Sequence, residues 1–235
     1  MRNGEVSTTS QVVPDDVTTA FEPLLEQGSD ILYIVFSSGL SGTYNSACVA
    51  RDILLEKFPE RKIIIVDSLA ASLGQGLFVY KAACMKNEGK SIDEVAEWCE
   101  SNKLNVIHTF TVEDLIYLYR GGRVSRTTQI AGTLLGIKPV LHVDNVGHLV
   151  PVTKVRGRRN AIVELANKYG EMAKDPGAMP VFVSHGDCLG DVKILEKILS
   201  DRYGAKLDVI TDVGPVIGAH SGPGTLALFF VGKER

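Results

Sequence analysis

The 235-residue chain is 45% hydrophobic and 23% charged, enough apolar material for one large core or two ordinary ones. Its net charge of −3 leaves no overall electrostatic case for nucleic acid. No apolar run approaches the roughly 18 residues of a membrane span, and the N-terminus lacks the charged-then-apolar layout of a signal peptide, so a cytoplasmic protein is expected.

Strand and helix alternate through the first hundred residues. Pro14-Asp15-Asp16 opens a helix with acids in its first turn; Val17, Phe21, Leu24 and Leu25 share one face, and Gly28 ends it. Ile31 to Phe36 reads as a buried strand, Thr43 to Lys57 as a helix, and Lys62 to Val66 as a second strand buried on both faces. A helix from about Leu73 to Lys86 comes next, and Ser91-Ile92-Asp93-Glu94 is a capping box for another that carries Val95, Trp98 and Cys99. This βαβ rhythm implies a parallel sheet.

The second half changes character. Val106 to Val112 reads as a strand, Asp114 to Tyr119 as a short helix, and Gly121-Gly122 as a break before a helix across Thr127 to Leu135. Pro139 to Val143 and His148 to Lys154, around a turn at Asp144 to Gly147, form two strands with antiparallel pairing. Helix Arg158 to Met172, strand Val181 to Ser184, helix Asp191 to Arg202, strand Leu207 to Thr211 and strand Thr225 to Val231 complete the chain. The fold class is therefore α/β with two domains. Residues 1–104 form a parallel βαβ sheet domain, and 105–235 an α/β domain with a mixed, partly antiparallel sheet. Cys48, Cys84, Cys99 and Cys188 lie far apart and read as buried reduced thiols, with neither a disulfide framework nor a metal site.

Two segments carry the chemistry. Phe36 to Ala47 joins a strand to a helix through small residues and hydroxyls, so the first-turn N–H groups and the positive end of the helix dipole point into the loop. Ser41 and Thr43 add donors while Gly39 and Gly42 permit close approach. The expected guest is a small oxyanion, either carboxylate or phosphate, and the bland alternative is a capped turn without a ligand. Asp212 to Thr225 sets four glycines and two prolines around His220, a shaped loop in which an imidazole is held at a fixed angle.

Six motifs stand in order along the chain: Thr9-Ser10-Gln11; Ser37 to Thr43; Asp67-Ser68 with Gly74-Gln75-Gly76; Arg120 to Ser125; Ile137 to Leu141; and Gly218 to Gly224. Taken with their order, they resemble the DegV family, which includes the fatty-acid-carrying subunit of bacterial fatty acid kinase. The resemblance implies a two-domain protein that encloses one long-chain fatty acid with its carboxyl group at the domain junction. It further implies a separate kinase subunit that phosphorylates the bound acid to an acyl phosphate for phospholipid synthesis. The chain would then be a non-catalytic carrier, with no cofactor and a fatty acid as its ligand. Carried over residue by residue, the carboxylate contacts are Thr9, Ser41, Gly42, Thr43 and His220. One departure is that the Thr-Ser-Gln motif stands at residue 9, several elements earlier than is usual, so the parallel domain is expected to lack its first strand and to expose sheet edge.

The chemistry of the residues agrees with such a ligand. Burying a tail of about sixteen carbons is worth roughly 0.8 kcal/mol per methylene, on the order of 12 kcal/mol gross before association costs. Neutral hydroxyls at the head position a carboxyl without a permanent ion pair. Arg120, Arg123 and Arg126, and the cluster Lys154, Arg156, Arg158 and Arg159, read as solvated surface charge or as contacts for the kinase, a phosphate or, transiently, an anionic membrane; Arg123 and Arg156 are the candidates taken forward. His185-Gly186-Asp187-Cys188 reads as a strand-end loop. Two rival readings are a serine esterase or thioesterase using Ser41 and His220, which lacks the Gly-x-Ser-x-Gly elbow, and a nucleotide- or small-anion-binding enzyme, which lacks a Walker or Gly-x-Gly-x-x-Gly loop.

Overall fold

The computed structural model describes residues 1–128 and 136–235, so all but the first two residues of the helix expected across Thr127 to Leu135 lie outside the described residues. The chain divides into two compact units. Ser10–Ala71 and Gln75–Lys103 make the first, whereas Met1–Thr9, Ser72–Gly74 and Leu104–Arg235 make the second.

In the first unit the elements run α1 (Pro14–Glu26), β1 (Ile31–Val35), α2 (Thr43–Lys57), β2 (Ile63–Asp67), α3 (Leu73–Asn87, of which the part from Gln75 onward belongs to this unit) and α4 (Ile92–Asn102). Strands β1 and β2 pair in parallel, Ile31 opposite Ile63 and Val35 opposite Asp67. Leu25 of α1, Val35, and Ala47 and Leu54 of α2 pack into one apolar cluster. Phe21 meets Tyr33 edge-on at 5.4 Å. Leu24 departs from expectation at 45% exposed; the core lies toward Phe21 and Leu25, and Leu24 sits on the other side of Val17. The α4 capping box forms as expected, with Ser91 Oγ accepting from Glu94 N, and the Glu94 carboxylate accepting from Ser91 N at 2.8 Å. Those bonds and Lys90 hold the Glu94 pKa down at about 2.

The second unit is built on six strands: β3 (Val106–Thr111), β4 (Ile137–Val143), β5 (Leu149–Arg156), β6 (Val181–His185), β7 (Val209–Asp212) and β8 (Leu226–Val231), in spatial order β5-β4-β3-β8-β6-β7. Between them run α5 (Ile116–Arg120), α6 (Arg158–Met172), α7 (Leu189–Tyr203) and α8 (Pro215–Ser221). Strands β6 and β7 pair in parallel across the α7 crossover and the other pairs are antiparallel, so the sheet is mixed. Ile107, Val140, Leu165, Tyr169, Val183, Leu195 and Phe230 form its core. Edge strand β5 carries Pro151, a register shift that leaves Val152 unpaired, and Lys154, three devices that discourage further strand addition.

Two expectations fail here. The glycine-rich stretch from Asp212 to Thr225 is not all loop: Gly214 caps a seven-residue helix, α8, with Pro215 in its first turn, and Gly222 ends it. The signals were Pro just inside the start and Gly just past the end, obscured by Gly218 within so short a helix. Of the cysteines, all free, Cys99 alone is buried. Burial pushes its thiol pKa up to about 11; the other three sit on helix flanks or ends where the apolar face is only half covered.

Candidate functional site

Within the second unit a cavity of about 170 Å³ is lined by Met1 and Val6–Thr9, by Tyr117, Arg120 and Gly121 of the α5 turn, by Arg123, and by Ala219 and His220 of α8. Thr9 Oγ1 and His220 Nε2 lie 2.6 Å apart. The other ring nitrogen, Nδ1, is buried with no partner among the described residues. A buried N–H without an acceptor costs more than a lone pair without a donor, so the proton belongs on Nε2, donating to Thr9. Burial first and the Arg123 guanidinium second lower the His220 pKa, keeping the ring neutral. The Thr9 hydroxyl, accepting from the imidazole, has its own proton left to donate. A neutral donor beside two guanidinium groups suits an oxyanion.

Arg123 Nη1 also donates to the carbonyl of Gly121 at 2.5 Å, which turns the side chain back along its own loop. Arg156 is elsewhere: it is exposed at the end of β5 opposite Ile137, and its carbonyl accepts from Asn160 Nδ2 at 2.8 Å. Arg158 is not a solvated surface charge, since its Nε is paired with Asp191 at 2.9 Å and its Nη2 donates to Gly224 O at 2.6 Å, buttressing the turn that follows α8.

The hydroxyl loop of the first unit forms at the N-terminus of α2. Ser41 Oγ and Thr43 Oγ1 are 2.9 Å apart, and Thr43 N donates to Ser41 Oγ at 3.3 Å. Gly42, the N-cap, supplies no side-chain cap, so the remaining first-turn amides are left to whatever the loop admits. Its φ of −71° suits any residue. The bare Cα leaves room for the Gln11 side-chain amide, which packs over it: a Cβ there would stand 2.8 Å from Gln11 Cδ, and that flexible side chain would have to swing aside. Behind the loop, Asp67 Oδ1 accepts from Ser38 N and Leu69 N, both at 3.1 Å, and Ser37 N donates to Ala70 O at 2.9 Å, so its entry is pinned to the end of β2.

Thus His220 holds Thr9, and Ser41 holds Thr43. Tyr117, Arg120 and residues 6–8 were missed as cavity walls by the sequence reading, although Tyr117 and Arg120 are three apart on one short helix and so share a face. Among the described residues, no group of His, Cys, Asp and Glu side chains could hold a metal ion, and no helix is long and apolar enough to cross a membrane.

A family model described as "Uncharacterised protein, DegV family" matches residues 1–233. A DegV domain-containing protein of Clostridium perfringens is 46% identical over all of this chain and 81% of its own length. Among solved structures, a DegV family protein from Thermus thermophilus, described by its fatty acid binding, is 31% identical with a TM-score of 0.87, covering 98% of this chain and 81% of that one. A DegV lipid binding protein from Thermotoga maritima is 32% identical with a TM-score of 0.85, covering 99% and 79%.

Proposed function

Since the chain belongs to the DegV family, we propose that it binds one long-chain fatty acid and presents the carboxyl group to a separate kinase that converts it to an acyl phosphate. The observation that carries this reading is the Thr9–His220 pair in a cavity walled by Arg120 and Arg123. A carboxylate there accepts the Thr9 proton, and the neutral imidazole keeps Thr9 turned toward it. Ser41 and Thr43, with the Gly42 backbone and the N-terminus of α2 behind them, are the other donors assigned to the carboxyl. Phosphorylation raises the negative charge of the head group, and Arg123 is the cation assigned to it. Arg156, exposed on β5, is assigned to the partner surface. No step of phosphoryl transfer is given to this chain, whose part is to hold and orient. The fatty acid binding described for the Thermus thermophilus relative supports the ligand class.

The test is to purify the protein natively, extract it with organic solvent and analyse the extract by mass spectrometry, then titrate delipidated protein with a sixteen-carbon fatty acid. Stoichiometric fatty acid is expected. Ser41→Ala should weaken binding by about tenfold or more, the worth of one hydrogen bond to a charged group. An empty protein that also takes up no added fatty acid overturns the reading.

A further inference from the structure

The adjacent glycines of Arg120-Gly121-Gly122-Arg123 do different work. Gly122 has φ of +74°, a backbone conformation that favours glycine. Gly121, the C-cap of α5, has φ −73° and ψ −9°, which any residue adopts. Its lack of a side chain therefore needs another cause, and that cause is the imidazole of His220. A Cβ on Gly121 would overlap Nδ1 and stand 2.9 Å from Cε1 and 3.1 Å from Cγ. A second close approach lies on the same face of α5, four residues back: the Tyr117 ring covers Gly222, the C-cap of α8, where a Cβ would stand 2.6 Å from Cε2.

From these contacts we infer that Gly121 is a positioning residue for the head-group site, its bare Cα forming the wall that seats His220 with Nε2 against Thr9. The ring is held between Thr9 on one edge and the Gly121 backbone on the other. The glycine packs against Nδ1, which is buried, and leaves Nε2 as the nitrogen that meets Thr9. A methyl at 121 drives the imidazole out of this seat, and Thr9 loses the partner that orients its hydroxyl. Tyr117 on Gly222 keeps the end of α8 close enough for the fit to matter. This inference rests on the fatty acid reading only for its consequence, because the seating of His220 is measurable without any ligand.

The experiment is nitrogen NMR of imidazole-labelled, ligand-free protein, with the His220 signal among the five histidines assigned by its loss in His220→Ala. In wild type, His220 should show the neutral Nε2–H tautomer. In Gly121→Ala its signal should move and its pKa should rise toward the ordinary 6.5, the other four histidines staying put. Gly122→Ala should lower the melting temperature through backbone strain while leaving the His220 signal in place. If Gly121→Ala folds too poorly to observe, the double variant Gly121→Ala/His220→Ala supplies the answer: with the ring gone the methyl has room, and the double variant should be more stable than Gly121→Ala alone. An unmoved His220 signal in Gly121→Ala, or a double variant no more stable than Gly121→Ala, overturns the inference. Fatty acid affinity is read separately. Loss in Gly121→Ala should match that in His220→Ala and not add to it, whereas a wild-type protein that binds no fatty acid sinks the functional reading and leaves the seating result standing.

Discussion

Replacing Thr9 by Val keeps the shape of the side chain and removes its hydroxyl, which is the His220 Nε2 partner at 2.6 Å. Because Nδ1 already lacks one, the variant leaves both ring nitrogens unpaired. Leaving a buried donor unsatisfied costs about 1–3 kcal/mol, and this ring is only partly buried, so the lower half of that range, about 1–2 kcal/mol, applies. In a chain of this size each kcal/mol moves the melting temperature by roughly 2–4 °C, which gives a fall of about 2–8 °C. Thr9→Ser retains the hydroxyl and should stay within about 0.5 kcal/mol of wild type. The assay is calorimetric and urea unfolding of both variants, each made also in a His220→Ala background. With the imidazole absent, Thr9→Val should lose most of its cost, a coupling of about 1 kcal/mol or more. If Thr9→Val unfolds like Thr9→Ser, or if its cost is undiminished without His220, the bond is not the stabilising contact described above.

Acidification should unfold the protein through His108, whose ring is fully buried with Nδ1 3.0 Å from Val106 O and whose pKa is driven well below 6.5 by burial. Between the folded and unfolded values the unfolded chain binds the extra proton. Stability is therefore complete above about pH 6.5 and falls as pH drops, by about 1.4 kcal/mol per pH unit for this one group. In urea titrations from pH 7.5 to 5, the stability difference between wild type and His108→Asn should shrink at that slope, and a flat difference would refute the assignment. His220 and His142, also lowered first by burial, act in the same direction. Arg158→Ala should cost about 2 kcal/mol, less than a fully buried pair because both side chains keep some exposure, since it strands Asp191 and the Gly224 carbonyl together. Urea midpoints measure it, and a change below about 0.5 kcal/mol would show that the turn after α8 stands without this buttress.

Much of the local structure is legible in the residues because local rules make it. Helix α2 runs Thr43–Lys57 and α6 Arg158–Met172, the bounds that apolar periodicity alone implies, and the Ser91 capping box needs only four consecutive residues. The β4–β5 hairpin is equally local, its turn closed by Asp144 N to His148 O at 2.9 Å. Helix α8 escaped because seven residues with an internal glycine carry too weak a pattern to outweigh the loop signals around them.

Candidate residues were legible too, but as separate motifs. Hydroxyls beside glycines at a strand-to-helix turn, and a histidine in a glycine-rich stretch, declare themselves by type; Thr9 came from the family resemblance. What they touch is decided by contacts between residues far apart in the chain, which no local pattern encodes. Thr9 meets His220 across 211 positions, and β3 and β8 pair side by side from opposite ends of the second unit. Arg158, one basic residue among several in the sequence, becomes a buttress only when Asp191 and Gly224 arrive beside it. The glycine pair at 121 and 122 shows the division most sharply. Composition marks both alike, yet φ alone accounts for Gly122, and the folded approach of an imidazole accounts for Gly121.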